Sequence, residues 1–298
     1  MPDAAVLNRA AARATKRNLA PWYLSAPALA VYVSLLLVPL ALTAMLSFNA
    51  FDGTKGILPT HTLHNYIEIF SDGYYHEIFL RTGGLALAVT VLCVLFGVPE
   101  TIILARMKSP WRGLFLVVIL GPLLISVVVR TLGWSILLGN KGLVNELLMA
   151  IGVIESPLRM VFTMTGVVIA LTHVLIPFMV IAVWATLQRL DLQVEWAGLS
   201  LGASRLTVFR RIILPQIMPG VLSGSIIVFA LAASAFATPA IIGGRRLKVV
   251  ATAAYDEFLG TLNWPLGAAI AMLLLVANLI IILGCSKLAE RRFKQVFE

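Results

Sequence analysis

The sequence predicts an all-α, polytopic membrane protein with six transmembrane helices, and three observations carry that prediction. Mean hydropathy is +0.95 over 298 residues, 60% of them hydrophobic and 12% charged, so there is too little polar surface to wet a globular exterior. The apolar residues gather in six uncharged runs, each near or above the ~18–20 residues that cross a ~30 Å hydrocarbon core as a helix. Lysine and arginine, finally, are dense in alternate gaps between these runs.

The first run, Asn18 to Phe51, holds Ala28-Leu29-Ala30, a signal-peptidase-like triplet that precedes most of the apolar residues instead of following them. It is therefore expected to be an uncleaved signal anchor. The remaining runs are Thr82 to Pro99, Gly113 to Val129, Met160 to Gln188, Ile212 to Gly244 and Phe258 to Ser286. Pro39, Pro122, Pro177 and Pro239 lie inside runs, where a missing N–H predicts kinks or half-unwound turns. Between runs, His61 to Phe79 and Leu143 to Leu158 have amphipathic character and are expected to lie along the outer surface. Cys93 and Cys285 fall in or beside spans and read as small buried apolar residues.

Counting basic residues orients the chain. Arg9, Arg13, Lys16, Arg17, Arg106, Lys108, Arg112, Arg189, Arg205, Arg210, Arg211, Lys287, Arg291, Arg292 and Lys294 share one side, which is 15 of the 23. The other eight are balanced by Asp52, Glu68, Asp72, Glu77, Glu146, Glu155, Asp256 and Glu257. By the positive-inside rule both termini are cytoplasmic. The expected organisation is a cytoplasmic tail at 1–21, one six-helix domain at 22–288 with a cytoplasmic loop at 189–219, and a cytoplasmic tail at 289–298.

Catalytic chemistry is hard to assemble from this chain. It has no G-x-x-x-x-G-K-[ST] phosphate cradle, no H-E-x-x-H and no glycine-framed serine elbow. No catalytic residue, metal ligand or nucleic-acid contact is expected. Glu100 is placed to pair with Arg106. Arg130, reckoned as ~26 Å of helix rise beyond Gly113, falls near the outer boundary as an anchor or gate. His173 and Asn278 sit deeper, where interhelical hydrogen bonding is the ordinary role and a pathway role the sharper one. On the outer side, Tyr255, Asp256, Glu257, Trp264 and Trp134 offer acids and aromatic faces to a cation, although the acids also balance Arg245, Arg246 and Lys248. Pro239 is a candidate hinge in the pathway.

The stretch EWAGLSLGASRLTVFRRIILPQIMPG, residues 195–220, stays outside the spans. Asp191 can cap a short helix that Gly202 ends, and Ser204 can cap a second that runs to Pro215. Trp196 and Leu199, then Leu206, Phe209 and Ile213, form an apolar stripe backed by Arg205, Arg210 and Arg211. From pattern alone the stripe suits either a protein groove or the anionic inner leaflet.

This stretch resembles the cytoplasmic loop of permease subunits of binding-protein-dependent ABC importers, whose motif is E-A-A, three residues, G, nine residues, then I-x-L-P. Gly202, Ile212, Leu214 and Pro215 fit it in register. VRTLGWSILLGNKGLVNELL at 129–148, LIPFMV at 175–180, LPQIMPGVLSG at 214–224, FATPAIIGG at 236–244 and NWPLGAAIA at 263–271 narrow the resemblance to the spermidine/putrescine permeases. It implies a type I importer fold in the bacterial inner membrane. The partners implied are two ATPase subunits that bind ATP and Mg, a second and related permease, and a periplasmic solute-binding protein. Phe209 is then expected to fill a groove on an ATPase. In the register set by Gly202 the family glutamate falls on Trp196, the first alanine on Ala197 and the second on Gly198, while Glu195 is one residue early, a rotation of ~100° on a helix. The solute implied is a polyamine or other small amine, with a 4-aminobutyrate-like amino acid or an aminophosphonate as alternatives. An ion-coupled secondary carrier would need a mid-membrane ion site and paired broken helices, and neither is evident.

Overall fold

The computed structural model describes residues 20–188 and 192–292. Asp191, the expected cap, and most of the two tails lie outside the described residues. Twelve helices are described, in the order α1 (Ala20–Leu46), α2 (His64–Ser71), α3 (Gly73–Arg106), α4 (Trp111–Leu124), α5 (Val127–Leu137), α6 (Leu143–Ala150), α7 (Met164–Leu187), α8 (Leu192–Ser200), α9 (Arg205–Val208), α10 (Leu214–Ala233), α11 (Val250–Leu259) and α12 (Trp264–Arg292). Two π-helical turns, Phe209–Ile213 and Pro239–Gly243, complete the helical part. A small antiparallel hairpin, β1 (Asn49–Asp52) and β2 (Gly56–His61), departs from the all-helical expectation. It takes the end of the first apolar run, because Asp52 accepts hydrogen bonds from the Thr54 and Lys55 backbone amides (2.9 and 3.0 Å) and turns the chain at Gly56.

Among the described residues five helices are long and apolar enough to cross a bilayer, or six spans if the bent pair α4–α5 is counted as one. α7 is the central one, packed between α3 and α10. Glycines make this possible, since a Cβ on Gly220 would lie 2.3 Å from Thr186 Oγ1 and 2.8 Å from the Ala182 carbonyl. Gly224 and Gly97 bring α10 and α3 equally close to Met179. Around these crossings Ala86, Val89, Cys93, Val167, Met179, Val183, Ile217 and Val228 form the principal buried core. A second core joins Ile69, Tyr75 and Ile78 to Val250, Ala253, Leu266 and Ile270. α1 touches α12 and has no buried residue in its spanning segment.

The third span differs most from the uninterrupted helix expected. α4 has 14 residues, or ~21 Å of rise, too few to cross a ~30 Å core, and the chain then bends by 103° into α5. Pro122 sits in the last turn of α4, where it withholds a donor. The ~26 Å reckoning for Arg130 therefore fails, because the helix it presumed is not continuous. The fifth span also differs, for α9, the first π turn and α10 run on through Pro215, which sits in the first turn of α10 where its ring costs nothing. Of the two surface segments, α2 and α6 form as expected, but residues 73–79 belong to α3.

Buried amides fasten the loops. Asn65 donates to the carbonyls of Ser47 and Asn49 (2.9 and 3.0 Å), and Asn145 donates to those of Gly139 and Leu158 (both 3.0 Å). Cys93 is buried as expected, whereas Cys285 is exposed. Asn278 has no hydrogen-bond partner among the described residues, so its expected interhelical bond is not formed.

The glycine crossing gives a first prediction. Gly220→Val should destabilise the protein by about 1–3 kcal/mol or more, because neither Thr186 nor the Ala182 carbonyl can yield as a flexible side-chain tip would. Gly84→Ala, where nothing lies within 4 Å, should be near neutral. Thermal unfolding in detergent of the two variants checks the contrast.

Candidate functional site

The segment from α8 to the first π turn is built by its capping residues. Gly202 has φ +83°, the left-handed conformation that glycine adopts without penalty. The Ala203 amide donates to the Gly198 carbonyl (3.2 Å) and the Gly202 amide to that of Leu199 (3.0 Å), so α8 closes in a Schellman arrangement. Ser204 Oγ then accepts from the Thr207 amide (3.2 Å) and starts α9, as expected. α8 lies close against the following π turn. A Cβ on Gly198 would sit 2.9 Å from Ile212 Cδ1, which explains why a small residue stands at the motif's second alanine position.

Of the expected apolar stripe, Trp196 and Leu206 are exposed, while Leu199, Phe209 and Ile213 pack toward the core of this chain. Phe209, expected to be the outward knob, is half-buried and packs with Leu199, Ile212 and Leu214 against the principal core. Phe209 opens the π turn Phe209–Ile213. The exposed apolar residues are instead Trp196 (68% exposed), Leu201 (88%) and Leu206 (58%).

Glu195 points the other way. Its carboxylate accepts from Arg106 Nη2 at 2.9 Å, joining α8 to the last residue of α3. Sequence reasoning had paired Arg106 with Glu100, its neighbour in the chain, and missed this contact across 89 residues. The one-residue offset of Glu195 was the available signal, since a ~100° rotation turns a side chain from one face of a helix toward another. The Glu195 side chain is 26% exposed and that of Arg106 56%, so the ion pair is worth at most ~1 kcal/mol as a stabiliser. Its role is to fix the orientation of α8. Ala197 and Pro215 lie on this segment without side-chain hydrogen bonds.

On α5 and α7 the structure brings together Arg130, Trp134 and His173. Trp134 Nε1 donates to His173 Nδ1 (3.1 Å), the rings meeting edge to face with centroids 5.3 Å apart. This fixes the tautomer, because a nitrogen that accepts carries no proton. Arg130, one helical turn before Trp134, has Nε and Nη1 buried with no acceptor among the described residues. Thr131 Oγ1 lies 3.1 Å from Thr238 Oγ1 and seats α5 beside the turn that begins at Pro239.

A second group is centred on α11. Asp256 accepts from Lys248 Nζ at 2.5 Å. That bond raises the Lys248 ammonium above its ordinary 10.5, so its contribution is fully present below that value and is lost only as pH rises through the raised one. Glu257 accepts from Thr261 Oγ1 (2.6 Å), and the ring of Tyr255 packs on Phe236 with centroids 4.8 Å apart. Trp264 is half exposed at the start of α12. Arg81 of α3 donates to the Lys248 carbonyl (3.2 Å) and pairs with Glu77. No cluster of His, Cys, Asp or Glu suited to a metal exists among the described residues.

Comparison with known proteins gives this geometry a family context. A profile described as "Binding-protein-dependent transport system inner membrane component" matches residues 10–294. The spermidine/putrescine transport system permease protein PotB of Escherichia coli is 34% identical over 230 residues, covering 77% of this chain and 83% of that protein. PotB of Haemophilus influenzae is 30% identical over 248 residues, 83% of this chain and 86% of the relative. The molybdenum transport system permease protein ModB of Mycobacterium tuberculosis is 33% identical over 200 residues, 67% and 74% of the two chains. Among solved structures, a bacterial alginate ABC transporter in complex with an alginate-bound periplasmic protein matches 95% of this chain and 98% of its own, with a TM-score of 0.75 at 18% identity.

Gly202→Val should cost about 1–2 kcal/mol locally, since a β-branched residue resists the left-handed conformation. No atom obstructs a Cβ there, so the cost is conformational. Hydrogen exchange should quicken in α8 and α9 while α7 and α10 keep their protection; Gly202→Asn should restore much of the loss.

Proposed function

The chain belongs to the family of inner-membrane components of binding-protein-dependent transport systems, the permeases of ABC importers, and from that premise we propose that it forms one half of a translocation pathway for a small amine. A second, related permease supplies the other half. Two ATPase subunits, which bind ATP and Mg, dock beneath, and a periplasmic solute-binding protein delivers the solute from above. Both termini are then cytoplasmic. This chain contributes no ATP site of its own. ATP hydrolysis acts on it through α8 and α9, biasing the helix bundle between two states.

The observation that carries this reading is the exposed set Trp196, Leu201 and Leu206, on a segment capped at Gly202 and oriented by the Arg106–Glu195 ion pair. Exposed apolar residues on a rigid, capped segment suit insertion into a protein groove. The test is retention of the ATPase subunits by the purified complex. Trp196→Ala and Leu206→Ala together should lower retention and stimulated hydrolysis about tenfold or more while leaving thermal stability near wild type. Phe209→Ala should chiefly destabilise the fold. Normal attachment in the double variant would remove the docking assignment.

The polyamine class is favoured by the PotB relatives, which cover more of this chain than the molybdenum permease does. Tyr255, Trp264 and Glu257 are the outer groups available to an ammonium. A solute bearing an oxyanion beside its amine, such as a 4-aminobutyrate-like amino acid or an aminophosphonate, is the second reading, and the unpaired Arg130 guanidinium favours it. Arg130→Gln separates the two in proteoliposomes supplied with loaded binding protein. Uptake of putrescine should be kept or increased, since a fixed cation in the path is removed. If the solute carries an oxyanion, its uptake should instead fall about tenfold or more.

A further inference from the structure

Beneath α8 lies a cavity of about 260 Å³ at the cytoplasmic boundary, lined by Arg106, Arg112, Trp184, Gln188, Glu195 and Gln216 among others. Its polar lining is unbalanced. Among the described residues two guanidinium groups face one carboxylate, and that carboxylate is already bonded to Arg106 through a single nitrogen. Arg112, Gln188 and Gln216 have no side-chain hydrogen-bond partner among the described residues. The cavity therefore presents a free guanidinium, a half-used one and two amides, a donor set suited to the oxygens of a phosphate.

The surface beside the cavity indicates which phosphate. Arg112 is the second residue of α4, and from that point Trp111, Leu114, Phe115 and Val118 follow at three- and four-residue spacing, 63%, 54%, 42% and 63% exposed. They make an exposed apolar face of α4 that starts beside Arg112, the helix's one residue in the cavity lining. A tryptophan and an arginine in the first turn of α4, followed by an apolar face along the helix, suit a phospholipid headgroup and its acyl chain. A free phosphate would use the cavity and leave that face without a purpose.

We propose that this cavity is a binding site for the headgroup phosphate of an anionic phospholipid of the inner leaflet, held by Arg112 and Arg106, with an acyl chain lying along α4. Because Arg106 also holds Glu195, an occupied site draws on the same guanidinium that orients α8, which links lipid occupancy to the docking segment. The link to hydrolysis rests on the importer reading above; lipid binding itself does not.

Two measurements keep those claims separate. Native mass spectrometry of the purified complex, after exchange into detergent with phosphatidylglycerol and phosphatidylethanolamine, should show phosphatidylglycerol retained selectively, with Arg112→Gln reducing its retention several-fold. Equal retention by that variant overturns the site, whatever the fate of the importer reading. In the second, the complex is placed in nanodiscs of phosphatidylethanolamine with or without phosphatidylglycerol. Hydrolysis stimulated by binding protein should rise several-fold with phosphatidylglycerol in the wild type, and in Arg112→Gln should stay at the level seen in neutral lipid. The same rise on adding inorganic phosphate to neutral nanodiscs would identify free phosphate as the occupant and overturn the lipid assignment. No rise with either, beside intact lipid retention, would overturn the link to α8.

Discussion

A bilayer interior supplies no water to complete a hydrogen bond, and most of this structure follows from that constraint. Threonines inside spans turn their hydroxyls back to the carbonyl four residues earlier, as Thr90 does to Ala86 (2.7 Å) and Thr101 to Gly97 (2.6 Å). Thr82 does so to Ile78 and also accepts from the Val250 amide (3.0 Å), so one hydroxyl closes the start of α11 against α3. Where the chain leaves helical geometry, between α4 and α5 and again before Pro239, the two breaks lie beside each other and the Thr131–Thr238 contact joins them. The second break is buried at Thr238 and Pro239, whereas the first is exposed within this chain at Leu124 and Ile125. Arg130 is the exception, and a cation with two buried nitrogens left unpaired is the costliest polar feature among the described residues. A site that violates the constraint obeyed everywhere else is where a solute or partner has something to supply.

The docking segment shows how a one-residue offset is resolved structurally. With Trp196 in the family glutamate's place and Glu195 preceding it, α8 presents its indole outward and its carboxylate inward. The inward carboxylate then finds Arg106 and becomes a tether within the chain. What the offset removes from the outer face in charge it replaces with apolar area, while the smallness needed at the second alanine position survives as Gly198, against which Ile212 packs.

The six spans, the docking loop and its two caps were legible because they depend on local signals: runs without charge, a glycine at a helix end, a serine before a helix start. The parts that were not legible depend on tertiary context. Pro122 announced a disturbance, but a 103° bend follows only from the seat that Thr238 and its π turn provide for α5. Phe209 and Ile213 lie at the right spacing for an outward stripe, but spacing does not say whether the stripe meets a partner or the chain's own core, and here it meets the core. Arg106 was assigned to the nearest acid in sequence, when the acid nearest in space belongs to another element. The hairpin at residues 49–61 was absorbed into the first run because Asn49, Ala50 and Phe51 are uncharged, although the Asp52–Gly53 turn that follows was a usable signal.

α3 is the element that relates the two ends of the molecule. Its 34 residues give ~51 Å of rise, longer than the bilayer is thick, so its last residue reaches the docking segment and its first turns reach the outer loops. Arg106 holds Glu195 at the inner end; near the outer end Arg81 holds the Lys248 carbonyl and Thr82 the Val250 amide, the two contacts that fix the loop carrying the Lys248–Asp256 pair. Between them the helix is clamped on α7 at Gly97, where a methyl group would already crowd Met179. A close-packed crossing of that kind resists sliding but permits pivoting, since rotation about the contact leaves the glycine–methionine separation unchanged. Through Arg106, α8 is therefore tied to a helix whose other end carries the contacts to Lys248 and Val250.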